Sequence, residues 1–418
     1  MARKRNQVNA CILEALKDQV KLRSNLECNS FADMQQLQQE IRKTMNEYLS
    51  LQTLNRLFGI IRNDFSPSLN TLNIIAQYLQ YNSFREFVEL NDKPGLLKKL
   101  ATFESKFIFS VFSSLDPDKD DGQVLQTVIR NILNITNEDP QIASGLYPAM
   151  ASIPFGRRYF LERYVNMDSL AKHYGDGLSY YLLYAKSREE QFFAYNLHCL
   201  RYFLTAEHEL FIRYFAHISG FPKEEISTYQ PDRIGHYLAS IILDQSVSGK
   251  QPAQLFATTD NIGIPRSGNK PLVYQGWYRV IEALVLTGEF ERAWEKLNDP
   301  ILSLSGNNCV DVDFQTQVNL LRLISGFYSG NIPLIKARQI FAELNTRPLH
   351  TTVHDYCTML LLLLKKSLFP KAVGHKETDA KIDRLIMKTG FVYFHTYEKI
   401  VKEILDNELM DINGKKRY

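Results

Sequence analysis

Residues 50–90, SLQTLNRLFGIIRNDFSPSLNTLNIIAQYLQYNSFREFVEL, constrain the fold of this 418-residue chain more than any other stretch. Three serines each stand just ahead of apolar residues at helical spacing. Ser50 precedes Leu51, Leu54, Leu57, Phe58 and Ile61; Ser68 precedes Leu69, Leu72, Ile75 and Leu79; Ser83 precedes Phe84, Phe87, Val88 and Leu90. A serine hydroxyl at an N-cap accepts a bond from a first-turn N–H that has no partner within the helix, so each serine predicts a helix start. Glu86, three residues after Ser83, completes a capping box there. Helices this short are unstable alone in water and have to pack on one another.

The flanking sequence supplies neighbours for them. Ser30 with Asp33 at the capping-box position opens a second pattern, in which Met34, Leu37, Ile41 and Met45 recur at spacings of three and four. Asn46 suits the left-handed residue that ends such a helix. Residues 6–25 read as another helix, with Val8, Ile12, Leu13, Leu16, Val20 and Leu22 broadly on one side. Asn63–Pro67 reads as a loop. Asn91-Asp92-Lys93-Pro94-Gly95 reads as the end of the unit, which divides the chain into 1–93 and 94–418.

After Pro94 helices are predicted over 96–114, 122–135, 156–166, 177–186, 188–204, 207–219, 233–245, 273–287, 289–298, 313–329, 333–345, 351–366 and 391–406. Alternating strand patterns are nearly absent, so the fold class is all-α: a small N-terminal bundle followed by a large helical array. The polar loop Phe256–Pro271, with two glycines and two prolines, marks a subdivision near 256–271. Within the last third, Tyr274-Gln-Gly276-Trp277, Gly288-Glu-Phe290 and Ala293-Trp294 are echoed by Ile324-Ser-Gly326-Phe327, Gly330-Asn-Ile332 and Ala337. Small residues at helix crossings and glycine at the tight turn are what stacked helical hairpins need. GEFERAWEKL resembles the second helix of a tetratricopeptide repeat, but the spacing of 42–44 residues exceeds that repeat's roughly 34. The array is therefore tetratricopeptide-like only.

Composition excludes several classes. A net charge of +3 supplies no global field that would demand nucleic acid or membrane. Locally, Arg42, Lys43, Arg56 and Arg62 stand against the one acid Glu47 between residues 42 and 63. Cys11, Cys28, Cys199, Cys309 and Cys357 are scattered, which argues against a disulfide framework or zinc site and for a reducing cytoplasm. The apolar run near the N-terminus is broken by Glu14, Lys17 and Asp18, unlike a signal peptide. Met359–Leu364 is too short to cross a bilayer and reads as a buried helix segment.

Enzymatic motifs fail. Asp116-Pro-Asp118-Lys-Asp120-Asp121-Gly122 approaches a calcium loop, but its glycine is one place late and Thr127 stands where a bidentate glutamate is needed. Glu207-His208-Glu209 lacks a second histidine four residues on. No GxSxG, P-loop or GxGxxG occurs, so neither a metal nor a cofactor is expected and the chain reads as non-enzymatic. The aromatic-rich segment 159–203, with Arg157, Arg158 and Arg163 beside it, suits either packing between stacked helices or a groove for a peptide or bases; packing is the commoner use.

The segment Ser50-Leu-Gln-Thr53-Leu54-Asn-Arg56-Leu57-Phe58-Gly59, followed by Pro67-Ser68-Leu-Asn-Thr71-Leu72-Asn-Ile74-Ile75-Ala76-Gln-Tyr78-Leu79-Gln-Tyr81-Asn-Ser83-Phe-Arg-Glu-Phe87, resembles the lambda-repressor-like family of helix-turn-helix DNA-binding domains. It is similar above all to a bacterial subgroup with the pattern S-x-x-T-L-x-R-L-F-G, a loop, then P-S-x-x-T-L. The resemblance covers about a fifth of the chain. Two positions depart from the family: Asn46 stands nearest the usual turn glycine, and Gln80 replaces the glycine that often precedes the second tyrosine.

The resemblance implies that the Ser50 helix reads DNA. With Leu54, Leu57, Phe58 and Ile61 inward, Gln52, Thr53, Asn55 and Arg56 are expected to face outward. Gln and Asn can bond an adenine edge bidentately, and Arg a guanine edge. Arg62, Lys43 and Ser68 are placed for phosphate, and Arg3-Lys4-Arg5 for a mobile arm. The expected protein is a cytoplasmic transcriptional regulator, with DNA and a protein or peptide as partners. Because one recognition helix covers only a half-site, a homodimer is expected for tight binding. The alternative is a helical-repeat scaffold whose N-terminal bundle does not bind DNA.

Overall fold

The computed structural model describes residues 10–45, 47–61, 67–91, 103–116, 123–249, 264, 270–299, 312–344, 349–370 and 375–411. Within them every regular element is helical and no strand occurs, so the protein is all-α. The boundary at Pro94, the basic triplet 3–5, Asn46, most of the loop 256–271 and the acidic run after Asp116 lie outside the described residues.

The N-terminal helices are α1 (Ala10–Ser24), α2 (Phe31–Met45), α3 (Leu51–Leu57), α4 (Leu69–Tyr78) and α5 (Phe84–Asn91). Their starts follow the serines. Ser30 Oγ accepts the Asp33 N–H at 3.1 Å while the Asp33 carboxylate accepts the Ser30 N–H at 3.3 Å, a reciprocal capping box. Ser50 and Ser68 each accept the N–H three residues on, from Thr53 and Thr71, at 3.1 Å. At α5 the pattern differs. Ser83 Oγ accepts the Glu86 N–H, but the Glu86 carboxylate reaches one residue further back, to the Asn82 N–H. The Leu16, Val20, Met34, Leu37, Ile41, Leu54, Leu72, Ile75 and Phe87 side chains form the shared interior.

The larger part comprises α6 (Phe103–Ser113), α7 (Gln123–Glu138), α8 (Pro140–Ala151), α9 (His173–Tyr184), α10 (Arg188–Leu204), α11 (His208–Ser219), α12 (Pro231–Ser248), α13 (Lys270–Leu286), α14 (Phe290–Leu297), α15 (Val312–Tyr328), α16 (Leu334–Glu343), α17 (His354–Leu368), α18 (His375–Thr389) and α19 (Phe394–Asp411). The closest packing is α12 on α13, where Gly235 meets Gly276 backbone to backbone. α13–α14 and α15–α16 form the two hairpins that the repeat predicts, and α14 packs on α15. Gly288 and Gly330 turn them with φ of +81° and +73°, and Ala293 and Ala337 are fully buried.

Two long helices, and the four-residue Lys223–Ile226, exceed the sequence reading. α8, in a stretch where no helix is predicted, carries Pro140 in its first turn, where its missing N–H costs nothing, and Pro148 inside. α18 has so polar a sequence that its buried Ile382, Leu385 and Ile386 escape notice. The helix expected over 156–166 is instead a short turn, Pro154–Gly156, running into a π-helical stretch, Arg157–Glu162. There the Arg163 N–H bonds the Arg158 carbonyl five residues back. In the aromatic segment Tyr159, Tyr174, Tyr181, Phe192 and Phe193 are core, so its main use is packing.

α10 ends in a Schellman turn: the Glu207 N–H bonds Tyr202 O at 2.9 Å and the Ala206 N–H bonds Phe203 O at 3.1 Å. Ala206 holds the left-handed position, φ 57°, at a steric cost glycine would not bear. Ala206→Gly is expected to stabilise the protein by about 0.5–1 kcal/mol. Denaturant unfolding checks this, and a loss of stability on substitution would contradict it.

Candidate nucleic-acid interface

α3 is positioned from both ends. Ahead of it, Leu49 is buried and its carbonyl accepts a bond from the Gln38 side-chain amide at 2.6 Å, which ties the α2–α3 turn to α2. Behind it, Gly59 takes φ 78° so that the Ile60 N–H can reach Asn55 O at 2.9 Å, closing the helix in a Schellman turn. This is the physical role of the glycine in RLFG. A second such turn ends α4, where Gln80 holds φ 79° and the Tyr81 N–H bonds Ala76 O at 2.9 Å. Gln80 therefore keeps a conformation that glycine adopts more cheaply.

The predicted residues divide unevenly. Gln52 is exposed in the first turn of α3. Thr53 is half-buried, its hydroxyl 2.7 Å from that of Ser50. Arg56 is half-buried one turn on, so Gln52, Arg56 and Gly59 make the outer ridge. Asn55 corrects the expectation that it faces outward: it is only 2% exposed. At 100° per residue it lies on the same side as Leu51 and Phe58, both partly packed into the core, so α3 is embedded along two sides rather than one. Lys43 and its neighbour Arg42 are exposed in the last turn of α2. Ser68 is exposed, with its hydroxyl committed to capping α4. Arg62 lies outside the described residues.

Sequence reasoning missed Gln38, because a glutamine on a polar helix face carries no signal until the turn it binds is seen. The exposed apolar side chains near this surface were also unmarked: Tyr48 in the turn before α3 is 65% exposed, and Leu69 opens α4 exposed. Among the described residues the array's contacts with the bundle include α1, the α4–α5 turn and α5: Gln19 donates to Leu183 O at 2.6 Å, and Arg213 donates to Gln80 O at 3.0 Å.

Elsewhere the titrating groups are absorbed by packing. Burial drives His198 and His236 well below the ordinary imidazole value, keeping both neutral in the core. Asp168 is pushed up to about 7 by burial, against the pull of two N–H bonds from Asp355 and Tyr356 at the start of α17. That carboxyl caps a helix. Among the described residues no group of three or more His, Cys, Asp or Glu is placed to hold a metal, and no helix is long and apolar enough to cross a membrane. Comparison with family models, with curated proteins and with solved structures finds no match to this chain.

Proposed function

We propose that the protein is a DNA-binding transcriptional regulator in which α2 and α3 act as a helix-turn-helix and α3 enters the major groove. The observation that carries this reading is the open outer ridge of α3. Gln52 stands exposed at its first turn, and Arg42 and Lys43 stand exposed in the last turn of α2. Gln52 is the base-reading side chain and Arg56 extends it along the same ridge; Arg42 and Lys43 hold phosphates. Asn55, being buried, supports the ridge from below and reads nothing. The helical array would dimerise the protein or bind a protein or peptide.

Fluorescence anisotropy with fragments selected from a random DNA pool tests this. At about 50 mM salt binding should be readily measured and should weaken steeply as salt rises. Gln52→Ala should relax preference at one base position, costing about 1–3 kcal/mol of discrimination. Lys43→Ala should weaken all sequences alike and lower the salt slope by about one. No binding at low salt ends the DNA reading. Tyr48 and Leu69, exposed and apolar, favour the second reading, a protein-binding scaffold; under it Tyr48→Ser would abolish partner capture while DNA binding is nil.

A further inference from the structure

A cleft of about 540 Å³ opens between the bundle and the array. Arg23 of α1, Thr44 at the end of α2, Gln77 and Gln80 at the end of α4, and Arg213 and His217 of α11 line it. No carboxylate lines this volume among the described residues. Glu40 accepts the Tyr78 hydroxyl at 2.6 Å, and Glu86, on the wall of the adjoining hollow, accepts the Asn82 N–H.

Behind the wall, Arg23 Nη1, Gln80 Oε1 and His217 Nε2 are sealed from solvent with no partner, where such groups ordinarily have one. Arg23 lies over the Tyr78 ring at 4.4 Å, and Arg213 spends one N–H on the Gln80 carbonyl. Neither guanidinium has a carboxylate within ion-pair distance among the described residues. His217 stacks on Tyr195 with ring centroids 4.8 Å apart. Burial, then the charges of Arg23 and Arg213, hold its imidazole well below the ordinary value, so His217 is neutral and the cleft's positive charge is that of the two guanidiniums.

We propose that this cleft is a binding site for a phosphate-bearing small molecule, with the Arg23 and Arg213 guanidiniums forking onto its phosphate oxygens. Arginine is the side chain whose fixed donor geometry matches phosphate, and the volume suits a ligand up to mononucleotide size. Because Arg23 and Gln80 belong to the bundle and Arg213 and His217 to the array, the ligand would clamp the two together. This site does not depend on the DNA reading.

Calorimetric titration of the full chain with inorganic pyrophosphate, and separately with ADP, tests it. Both should bind, with ADP tighter if a nucleoside shares the cleft and equal to pyrophosphate if only phosphate is recognised. Arg23→Gln and Arg213→Gln should each weaken binding at least about tenfold. Arg213→Lys keeps the charge without the fork and should weaken it less, which separates lost recognition from lost folding. Arg384→Gln, on an exposed helix face, should change nothing. Absence of heat at about 10 mM of either probe, or undiminished affinity in Arg213→Gln, overturns the proposal.

Discussion

Gly235→Ala is expected to destabilise the protein by about 3 kcal/mol, lowering the unfolding midpoint by about 3–5 °C. A Cβ built on Gly235 lies 2.2 Å from Gly276 O and 2.3 Å from Gly276 Cα, and one on Gly276 lies 2.3 Å from Pro231 O. Every obstacle is backbone, so no side chain can rotate aside; α12 and α13 have to move apart along the most extensive helix contact in the molecule. Gly276→Ala should cost a similar amount, and the double substitution less than the sum of the two, since the first already parts the helices. Gly220→Ala is the control. Its Cβ would meet nothing closer than 3.5 Å in an ordinary helical conformation, so stability should change by no more than about 0.5 kcal/mol. Calorimetric or denaturant unfolding reads all four variants. If Gly235→Ala behaves like Gly220→Ala, the helices are not packed this closely.

That crossing shows which part of the fold the sequence made legible. Gly276 stood out as a small residue of a repeat, and its being small does matter, but the helix it touches is α12, outside the repeat. Periodicity identifies a face that needs a partner without naming the partner. Gly326 is the contrasting case: its neighbours, Trp294 and Ile332, do come from the two hairpins. Helix starts were legible at Ser30, Ser50 and Ser68, where a local serine cap precedes an apolar stripe. The local Asp139 cap of α8 did not reveal that helix, and the helix expected from 351 begins at His354, where Asp168, 187 positions away, supplies the cap. Within the candidate interface Gln52 and Lys43 followed from the inner stripe of α3 and the end of α2. Asn55 did not, because the stripe assumes one buried side and α3 has two. The cleft was invisible to sequence for the same reason as the α12–α13 crossing: Arg23 and Arg213 meet only through tertiary packing.

Arg233→Ala is expected to cost about 3–5 kcal/mol, the range for removing one partner of a buried ion pair. Arg233, 6% exposed at the start of α12, pairs with Glu162 at the end of the π-helical stretch. It also lies 3.2 Å from the Asp232 carboxylate and 4.0 Å over the Phe193 ring of α10. The Tyr181 hydroxyl of α9 donates to Glu162 at 2.9 Å, so four segments meet on this one charge. Without the guanidinium, Glu162 and Asp232 face each other's charge in a largely dry site with only the tyrosine to answer it. The cost should therefore be dominated by the charges left behind rather than by the lost attraction. Glu162→Gln keeps an acceptor for Tyr181 and removes one stranded charge. Combined with Arg233→Met, which refills the volume, it should recover at least half of the loss. Salt separates this pair from the exposed ones: at about 0.5 M an exposed bridge is screened away, whereas the Arg233→Ala deficit should persist. A deficit under about 1 kcal/mol, or one erased by salt, would mean that the pair is solvated and that helix packing alone holds this junction together.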